Sequence, residues 1–100
     1  MRLEWSPFAL EDRGCIFDFI EQDSPRAAIA VDERIATQVL MLIQFAESGR
    51  PGRIDGTREL IISHTQYIVV YRIINDTVRI LRILHSAQLW PDELPDVARG

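Results

Sequence analysis

The apolar residues between Ala28 and Ala46 recur at steps of three and four, which is the spacing of one face of an α-helix. The stripe consists of Ala28, Val31, Ile35, Val39, Leu42 and Ala46. Ser24-Pro25 precedes it, a capping residue followed by proline at the first helical position. The pattern predicts a helix of about 22 residues. Such an amphipathic helix requires a further layer of structure to cover its apolar face.

A similar start signal, Ser6-Pro7, precedes an earlier segment with helical spacing. Its apolar face is predicted to consist of Ala9, Ile16, Phe19 and Ile20. We expect Cys15, beside Ile16, to be a small core residue. The helix is expected to end near Gln22. Because only Asp23-Ser24 then separates the two helices, they must form a helical hairpin.

Segments rich in β-branched and aromatic residues follow the hairpin. They predict strands over Arg58–Ser63, Tyr67–Ile74 and Val78–His85. Asn75-Asp76 suits a two-residue hairpin turn, because both residues tolerate positive φ. Leu3–Trp5 is predicted to be a short edge strand. The order predicts an α+β fold, an N-terminal helical hairpin packed on a small antiparallel β-sheet, whose other face is partly exposed.

The length and apolar content of the chain predict a single domain over residues 1–91 and a loose tail over residues 92–100. The longest apolar run, Val39–Ile43, is much shorter than the roughly 18 residues of a membrane span, so we expect no membrane partner. The first five residues include no apolar stretch of the signal-peptide type. With Cys15 as the only cysteine, we expect a reducing, cytoplasmic location.

Arginine provides all 11 basic side chains, and the formal net charge is −4. The planar guanidinium suits carboxylates and phosphates, although a GC-rich genome would also favour arginine. The acidic total argues against broad, non-specific binding to nucleic acid but is compatible with a local basic patch. We expect neither a cofactor nor a metal ion.

Several short segments follow one another in a characteristic order. In the C-terminal half they are Gly56–Leu60, Tyr67–Arg72, Ile80–His85 and Leu89–Pro91. In the N-terminal half they are Trp5–Ala9, Phe19-Ile20 before Ser24-Pro25, and Ala27-Ala28. Over residues 3–91 the chain resembles the RelE/ParE toxin superfamily, and it is most similar to the ParE branch. The resemblance implies the toxin of a type II toxin–antitoxin system, with a helical hairpin behind a small sheet, bound by a cognate antitoxin in a hetero-oligomer.

The resemblance implies one of two activities, between which the fold does not choose. The ParE branch inhibits DNA gyrase, and the RelE branch cleaves mRNA on the ribosome. Cleavage needs an acid, a base and cations at the phosphate. Arg58 and His85 match superfamily positions for a phosphate contact and a catalytic histidine. They are the catalytic candidates under the nuclease alternative.

The rest of the cleavage set is incomplete, because the chain has no lysine and its tail has neither tyrosine nor histidine. Both candidates also have structural alternatives. Arg58 begins a strand and could pair with an acidic side chain, and His85 ends a strand and could close a turn. The leading hypothesis is therefore a gyrase inhibitor that acts by binding rather than as an enzyme. The alternatives are an mRNA endoribonuclease and an inactive member that binds only its antitoxin.

Two further groups are candidates for binding. Arg58, Arg72 and Arg82 could bind a phosphate or an antitoxin carboxylate, although alternation along the strands opposes a patch that includes Arg72, Arg79 and Arg82 together. Alternatively, these arginines lie on a solvated surface. The candidates for antitoxin docking are Leu40, Met41, Ile43 and Phe45. Their alternative role is packing against the chain's own hairpin or sheet.

Overall fold

The structure, a computed structural model, describes residues 1–88 and 90. Its elements are β1 (Arg2–Trp5), α1 (Pro7–Glu21), α2 (Pro25–Leu40), a 3-10 turn (Met41–Ile43), β2 (Arg50–Pro51), β3 (Arg58–Ile61), β4 (Tyr67–Ile74) and β5 (Thr77–His85). The predicted tail, residues 92–100, lies outside the described residues. No helix in the described part is long and apolar enough to cross a membrane.

Both helices begin where the serine–proline pairs predict. Ser6 Oγ accepts a hydrogen bond from the Ala9 amide at 3.0 Å, and Ser24 Oγ accepts one from the Ala27 amide at 3.1 Å. Each serine thereby satisfies a backbone donor of the first turn, which has no partner within the helix. The helical hairpin is confirmed.

The second helix is shorter than predicted, because α2 ends at Leu40 and continues as the 3-10 turn. The Gln44 amide donates to the Met41 carbonyl, three residues earlier, at 3.2 Å, which is the hydrogen bond of a 3-10 turn. This tighter path turns the chain toward the sheet while Leu42 and Ala46 remain buried. The predicted stripe itself is confirmed, with Val31 partly buried at the edge of the core.

Two predictions for α1 are wrong. Phe19 is 68% exposed, and Cys15 is also exposed. Ala9 is buried and Ile16 packs at the edge of the core, so the inward face of α1 is narrower than the apolar pattern suggests. Part of the contact surface of α1 is instead formed by charged side chains that are paired with other elements.

The sheet has the strand order β1-β5-β4-β3-β2. The antiparallel meander β3-β4-β5 and the edge position of β1 are both confirmed, as is the α+β class. Two features go beyond the prediction. β1 pairs parallel to β5, which makes the sheet mixed, and the short β2 pairs with the start of β3. A parallel pair requires a long connection, and here the hairpin and the rest of the sheet lie between the two strands in sequence.

A bulge interrupts the alternation of β5. Val70 pairs with Arg82 whereas Tyr71 pairs with Ile80, so Leu81 is the extra residue. As a result Ile80 and Ile83, which are three residues apart, both pack in the core under the helices. Leu81 packs with Val70 on the outer face of the sheet. Before the bulge, Asn75 has φ of 54°, which confirms the predicted turn.

Candidate functional site

The outer face of the sheet, expected to be partly exposed, is covered at its centre. Ile54 and Trp90 pack over a small apolar cluster of Val70, Leu81 and Leu84. The covering loop precedes β3, and the guanidinium of Arg53 lies 3.6 Å from the centroid of the Trp90 ring. A cation over an indole ring at this distance is an attractive contact. The centre of the outer face is therefore a second small core.

Glu59 anchors that loop, a role that the sequence pattern did not reveal. Its side chain is only 2% exposed. It accepts hydrogen bonds from the Arg53 amide at 2.8 Å and from Arg50 Nη2 at 3.1 Å. A carboxylate this buried is tolerated because both of its oxygens are hydrogen-bonded and cations lie beside it.

Arg58 has one anchored edge and one open edge. Its Nη1 donates to the Gly49 carbonyl at 2.7 Å and to the Glu47 carbonyl at 3.2 Å. Its Nη2 lies 3.8 Å from the carboxylate of Glu47, and the arginine side chain is 31% exposed. The carbonyls fix the direction of the guanidinium, and the side chain stays partly exposed. Such an arrangement suits a carboxylate or a phosphate.

His85 occupies the position of a turn-closing residue. Its Nδ1 accepts a hydrogen bond from the Ala87 amide at 3.0 Å, and its own amide donates to Gln88 Oε1 at 2.7 Å. Its ring meets the Tyr67 ring edge to face, with centroids 5.3 Å apart. The ring thus serves the turn as a hydrogen-bond acceptor. These contacts correspond to the structural alternative.

The two nuclease candidates are not brought together. Arg58 is opposite Tyr71 in the sheet, and His85 is opposite Tyr67. Tyr67 and Tyr71 are four positions apart on β4, which corresponds to about 13 Å along the strand. Arg58 Nη1 is in addition held by the Gly49 carbonyl and His85 Nδ1 by the Ala87 amide, so the fold directs the two side chains to separate contacts.

Arg82 is engaged within the fold. Its Nε and Nη2 donate to the two carboxylate oxygens of Asp12 at 2.6 and 3.0 Å. The same carboxylate accepts a hydrogen bond from the Ile83 amide at 2.9 Å, beyond the point where β1 ends at Trp5. Asp12 thus fastens α1 to the uncovered edge of β5. Its hydrogen bonds and charge raise the pKa of the Arg82 guanidinium.

Arg72 lies on the other side of the sheet from Arg58. It follows Tyr71, whose ring is in the core under the helices, so alternation places Arg72 on the outer face. There it is opposite Arg79, which pairs with Glu4 of β1. Arg58, Arg72 and Arg82 therefore do not converge on one pocket, because they face different sides and because Asp12 already holds Arg82.

The predicted docking residues form an exposed apolar surface. Leu40, Met41 and Phe45 are 58%, 54% and 58% exposed, and Ile43 is half-buried. The alternative, in which these side chains pack on the chain's own sheet, is wrong for the three exposed residues. The 3-10 turn causes this, because it buries Leu42 and directs its neighbours outward.

Three adjoining depressions join this surface to the sheet, and together they form what we call the helix-end groove. The first is lined by Leu40 and Met41 and shares Ile43 with the second. The second, about 720 Å³ in volume, is lined by Met1, Ile43, Phe45 and Ile73 among others. The third shares Ile73 and is lined by Pro51, Thr57 and Arg58. The groove thus passes from an apolar end to a cationic end.

The sequence pattern missed Met1 and Ile73, because neither belongs to the apolar stripe of α2. They reach the groove through the ends of β1 and β4. Among the described residues, no group of three or more histidine, cysteine or acidic side chains is placed to hold a metal ion.

Comparison with known proteins identifies the family. The model of the ParE toxin of type II toxin–antitoxin systems, parDE, matches residues 3–90. The chain belongs to the ParE toxin family. The expected membership of the RelE/ParE superfamily is thereby confirmed.

Individual relatives agree with this assignment. The chain is 45% identical to Y4kP of Sinorhizobium fredii over 93 residues, covering 93% of this chain and 96% of that protein. It is 35% identical to Toxin RelE2 of Caulobacter vibrioides over 85 residues, covering 85% and 94% of the two chains. A solved structure of the chromosomal ParDE TA system from P. aeruginosa superposes with a TM-score of 0.76 at 27% identity, covering 85% of this ParE-family chain and 95% of that chain.

Proposed function

We propose that this ParE-family toxin inhibits DNA gyrase and is neutralised by a cognate antitoxin. The observation that carries the proposal is the separation of Arg58 from His85 by about 13 Å of sheet. RNA cleavage requires proton-transfer groups and cations within hydrogen-bond reach of one phosphate. Arg58 braces a loop and His85 closes a turn, so the toxin acts by binding its target rather than by covalent chemistry.

The match to the ParE family over residues 3–90 supports the same branch. The proposed place of action is the cytoplasm, where gyrase and DNA are found. An antitoxin partner is supported by the family's definition and by the likeness to the ParDE structure. The exposed residues Leu40, Met41 and Phe45, with the half-buried Ile43, provide an apolar docking surface for that partner.

A second candidate function is cleavage of mRNA on the ribosome. The 35% identity to Toxin RelE2 favours it. Under this alternative Arg58 would contact the phosphate and His85 would transfer a proton through Nε2. A third candidate is a chain that has lost toxicity and binds only its antitoxin.

Inducible expression of the toxin in a bacterium tests the proposal when growth, cell shape and mRNA integrity are scored together. We expect filamentous cells, a DNA-damage response and intact mRNA. Rapid translation arrest with codon-phased mRNA cuts would overturn the proposal, provided that Arg58→Ala or His85→Ala abolishes the cuts. Arg34→Ala is the matched control, because exposed Arg34 also donates to a backbone carbonyl. Normal growth at good expression would contradict gyrase inhibition and leave antitoxin binding alone.

A further inference from the structure

The outer face of the sheet carries arginine side chains from four strands and from the loop that covers it. Alternation places three of them there, because their neighbours in sequence, Leu3, Tyr71 and Val78, pack in or against the core under the helices. The other two contact groups of the outer face, one through an ion pair with Glu59 and one by stacking on Trp90. Together they are what we call the outer arginines, Arg2, Arg50, Arg53, Arg72 and Arg79.

The helical layer carries the opposite charge. Residues 7–40 contain seven carboxylates and three arginines. On the outer face the strands contribute two carboxylates, Glu4 and Glu59, against five outer arginines, and Asp55 and Asp76 lie at its margins in the covering loop and the hairpin turn. The net charge of −4 therefore conceals two layers of opposite sign. A polyanion is repelled by the helical hairpin and attracted to the outer face, and this separation orients its approach.

Two of the outer arginines are neighbours across the sheet. Arg72 of β4 is directly opposite Arg79 of β5. Like charges directly opposite each other destabilise a sheet, and an anion that contacts both removes the repulsion. Arg79 pairs with Glu4, whose side chain is 56% exposed. An arginine that is paired with one carboxylate can bind a further anion, because its guanidinium has five N–H donors.

We propose that the outer arginines bind the phosphodiester backbone of the DNA duplex on which gyrase acts, so that the toxin contacts the DNA as well as the enzyme. The sheet is four strand spacings wide from β1 to β2, which corresponds to about 19 Å. Each DNA strand places a phosphate every ~3.4 Å along the helix axis, so this width spans several consecutive phosphates. The guanidinium fork matches phosphate oxygens with two parallel N–H donors. This inference rests on the proposed function, because it adds the DNA to the target of the same toxin.

The aromatic residue of this face favours a duplex over a single strand. Proteins that bind single-stranded nucleic acid stack the bases on exposed aromatic rings. The Trp90 ring is covered by the guanidinium of Arg53 at 3.6 Å and packs on the apolar cluster that includes Val70 and Leu84. The tryptophan is therefore already stacked within the fold. What this part of the described surface offers is charge, and a duplex presents its charge as an ordered row of phosphates.

Fluorescence anisotropy with a short labelled DNA duplex of mixed sequence tests the inference at about 50 and about 200 mM salt. The surplus of three positive charges among the outer arginines and the two strand carboxylates predicts a roughly 40-fold loss of affinity between these conditions. Arg2→Gln combined with Arg72→Gln should weaken binding at the lower salt by roughly tenfold and reduce the salt dependence to a few-fold. The matched control combines Arg26→Gln with Arg34→Gln, which removes the same charge from exposed positions on α2. Its affinity should stay within about twofold of the parent.

Trapping of gyrase on plasmid DNA separates this inference from the proposed function. The variant with Arg2→Gln and Arg72→Gln should require roughly tenfold more toxin than the parent to trap the same amount of plasmid. Equal trapping by the parent and this variant would overturn the DNA contact and leave gyrase inhibition in place. A parent toxin that leaves gyrase unaffected would contradict the proposed function itself.

Binding alone provides two further decisive outcomes. A parent toxin that binds no duplex at the lower salt, or a control that loses as much affinity as the variant, would overturn the inference. Tighter binding to a single-stranded RNA of equal length than to the duplex would also overturn it and would assign the outer face to the nuclease alternative. Circular dichroism and the thermal midpoint establish that each variant is folded.

Discussion

The hydroxyl of Tyr71 donates to the Ala46 carbonyl at 2.7 Å and accepts from the Gly49 amide at 2.9 Å. Tyr71 belongs to β4 and is fully buried, whereas Ala46 and Gly49 belong to the segment that follows the helices. One side chain therefore fixes the path of the chain between the helical layer and the sheet. The carbonyl of the same Gly49 braces Arg58, so this contact also orients the cationic end of the groove.

Tyr71→Phe removes the hydroxyl and leaves a buried carbonyl and amide without their partner. We expect the free energy of unfolding to fall by about 1–3 kcal/mol. Urea denaturation measures the change. Tyr67→Phe is the matched control, because within the described chain the Tyr67 hydroxyl has no hydrogen-bond partner, and its loss should change stability much less. Equal effects of the two substitutions would contradict the role assigned to Tyr71.

Gly49 and Gly14 make a second matched pair. A Cβ at Gly49 would lie 2.6 Å from the Tyr71 hydroxyl, whereas a Cβ at Gly14 would meet nothing within 4 Å. Gly49→Ala should therefore destabilise the toxin by forcing the tyrosine or the loop to move. Gly14→Ala lies inside α1 and should stabilise it by roughly 0.5–1 kcal/mol, because alanine favours the helix. The midpoint of thermal unfolding should fall with Gly49→Ala and rise with Gly14→Ala. Shifts in the same direction would contradict the packing described for the two glycines.

Asp12→Ala should loosen the attachment of α1 to the sheet. The substitution leaves Arg82 and the Ile83 amide without their acceptor, and we expect a loss of about 1–3 kcal/mol. The control is Asp32→Ala, which breaks the similar ion pair with Arg13 between the two helices but no backbone contact. Asp32→Ala should lower the free energy of unfolding by less, about 1 kcal/mol at most. Hydrogen exchange at the Ile83 amide should accelerate only with Asp12→Ala.

Stability should fall in strong alkali. Burial raises the pKa of the Tyr71 hydroxyl, which outweighs the lowering effects of the Gly49 hydrogen bond and of Arg58. The unfolded chain then loses this proton first, at its ordinary pKa of about 10. The tyrosine's contribution is complete below about pH 10 and is lost as the pH rises toward its folded pKa. Tyr71→Phe should flatten the decline of unfolding free energy above pH 10, and an unchanged slope would contradict the assignment.

Salt should affect the toxin–antitoxin complex only weakly. The toxin carries a net charge of −4, so bulk attraction to an acidic antitoxin is not expected. The groove offers mainly apolar contacts together with one arginine. Titrations at low and high ionic strength should therefore give similar affinities. A steep loss at high salt would show that charge dominates the interface.

The apolar periodicity of the sequence was sufficient to predict the buried face of α2 and of the turn after it, because all six stripe residues pack in or at the edge of the core, but it did not show that the helix ends at Leu40. It failed for Phe19 and Cys15 because α1 makes part of its contacts through Asp12 and Arg13. Charged side chains that are paired at inward positions do not contribute to an apolar pattern, so the pattern cannot reveal them. The sequence also does not predict which strand β1 pairs with, because four residues do not specify a parallel pairing with β5.

The sequence does contain a sign of the bulge in β5. Apolar and polar residues do not alternate there, because the two apolar pairs Ile80-Leu81 and Ile83-Leu84 flank Arg82. Among the site residues, the exposure of Phe45 could be anticipated only as one of two alternatives. Whether an apolar residue after a helix faces the core depends on how the helix ends, and the 3-10 turn is set by tertiary contacts. For the same reason, the distance between Arg58 and His85 required the strand register.

Incubation of the purified toxin with DNA gyrase, supercoiled plasmid and ATP tests gyrase inhibition most directly. We predict accumulation of cleaved, gyrase-bound plasmid and loss of supercoiling, both abolished when the antitoxin is added first. His85→Ala should retain the effect, because the proposed action does not use His85 chemically. An unaffected gyrase, together with ribosome-dependent mRNA cleavage that is lost in His85→Ala, would contradict the account and assign the toxin to the nuclease branch.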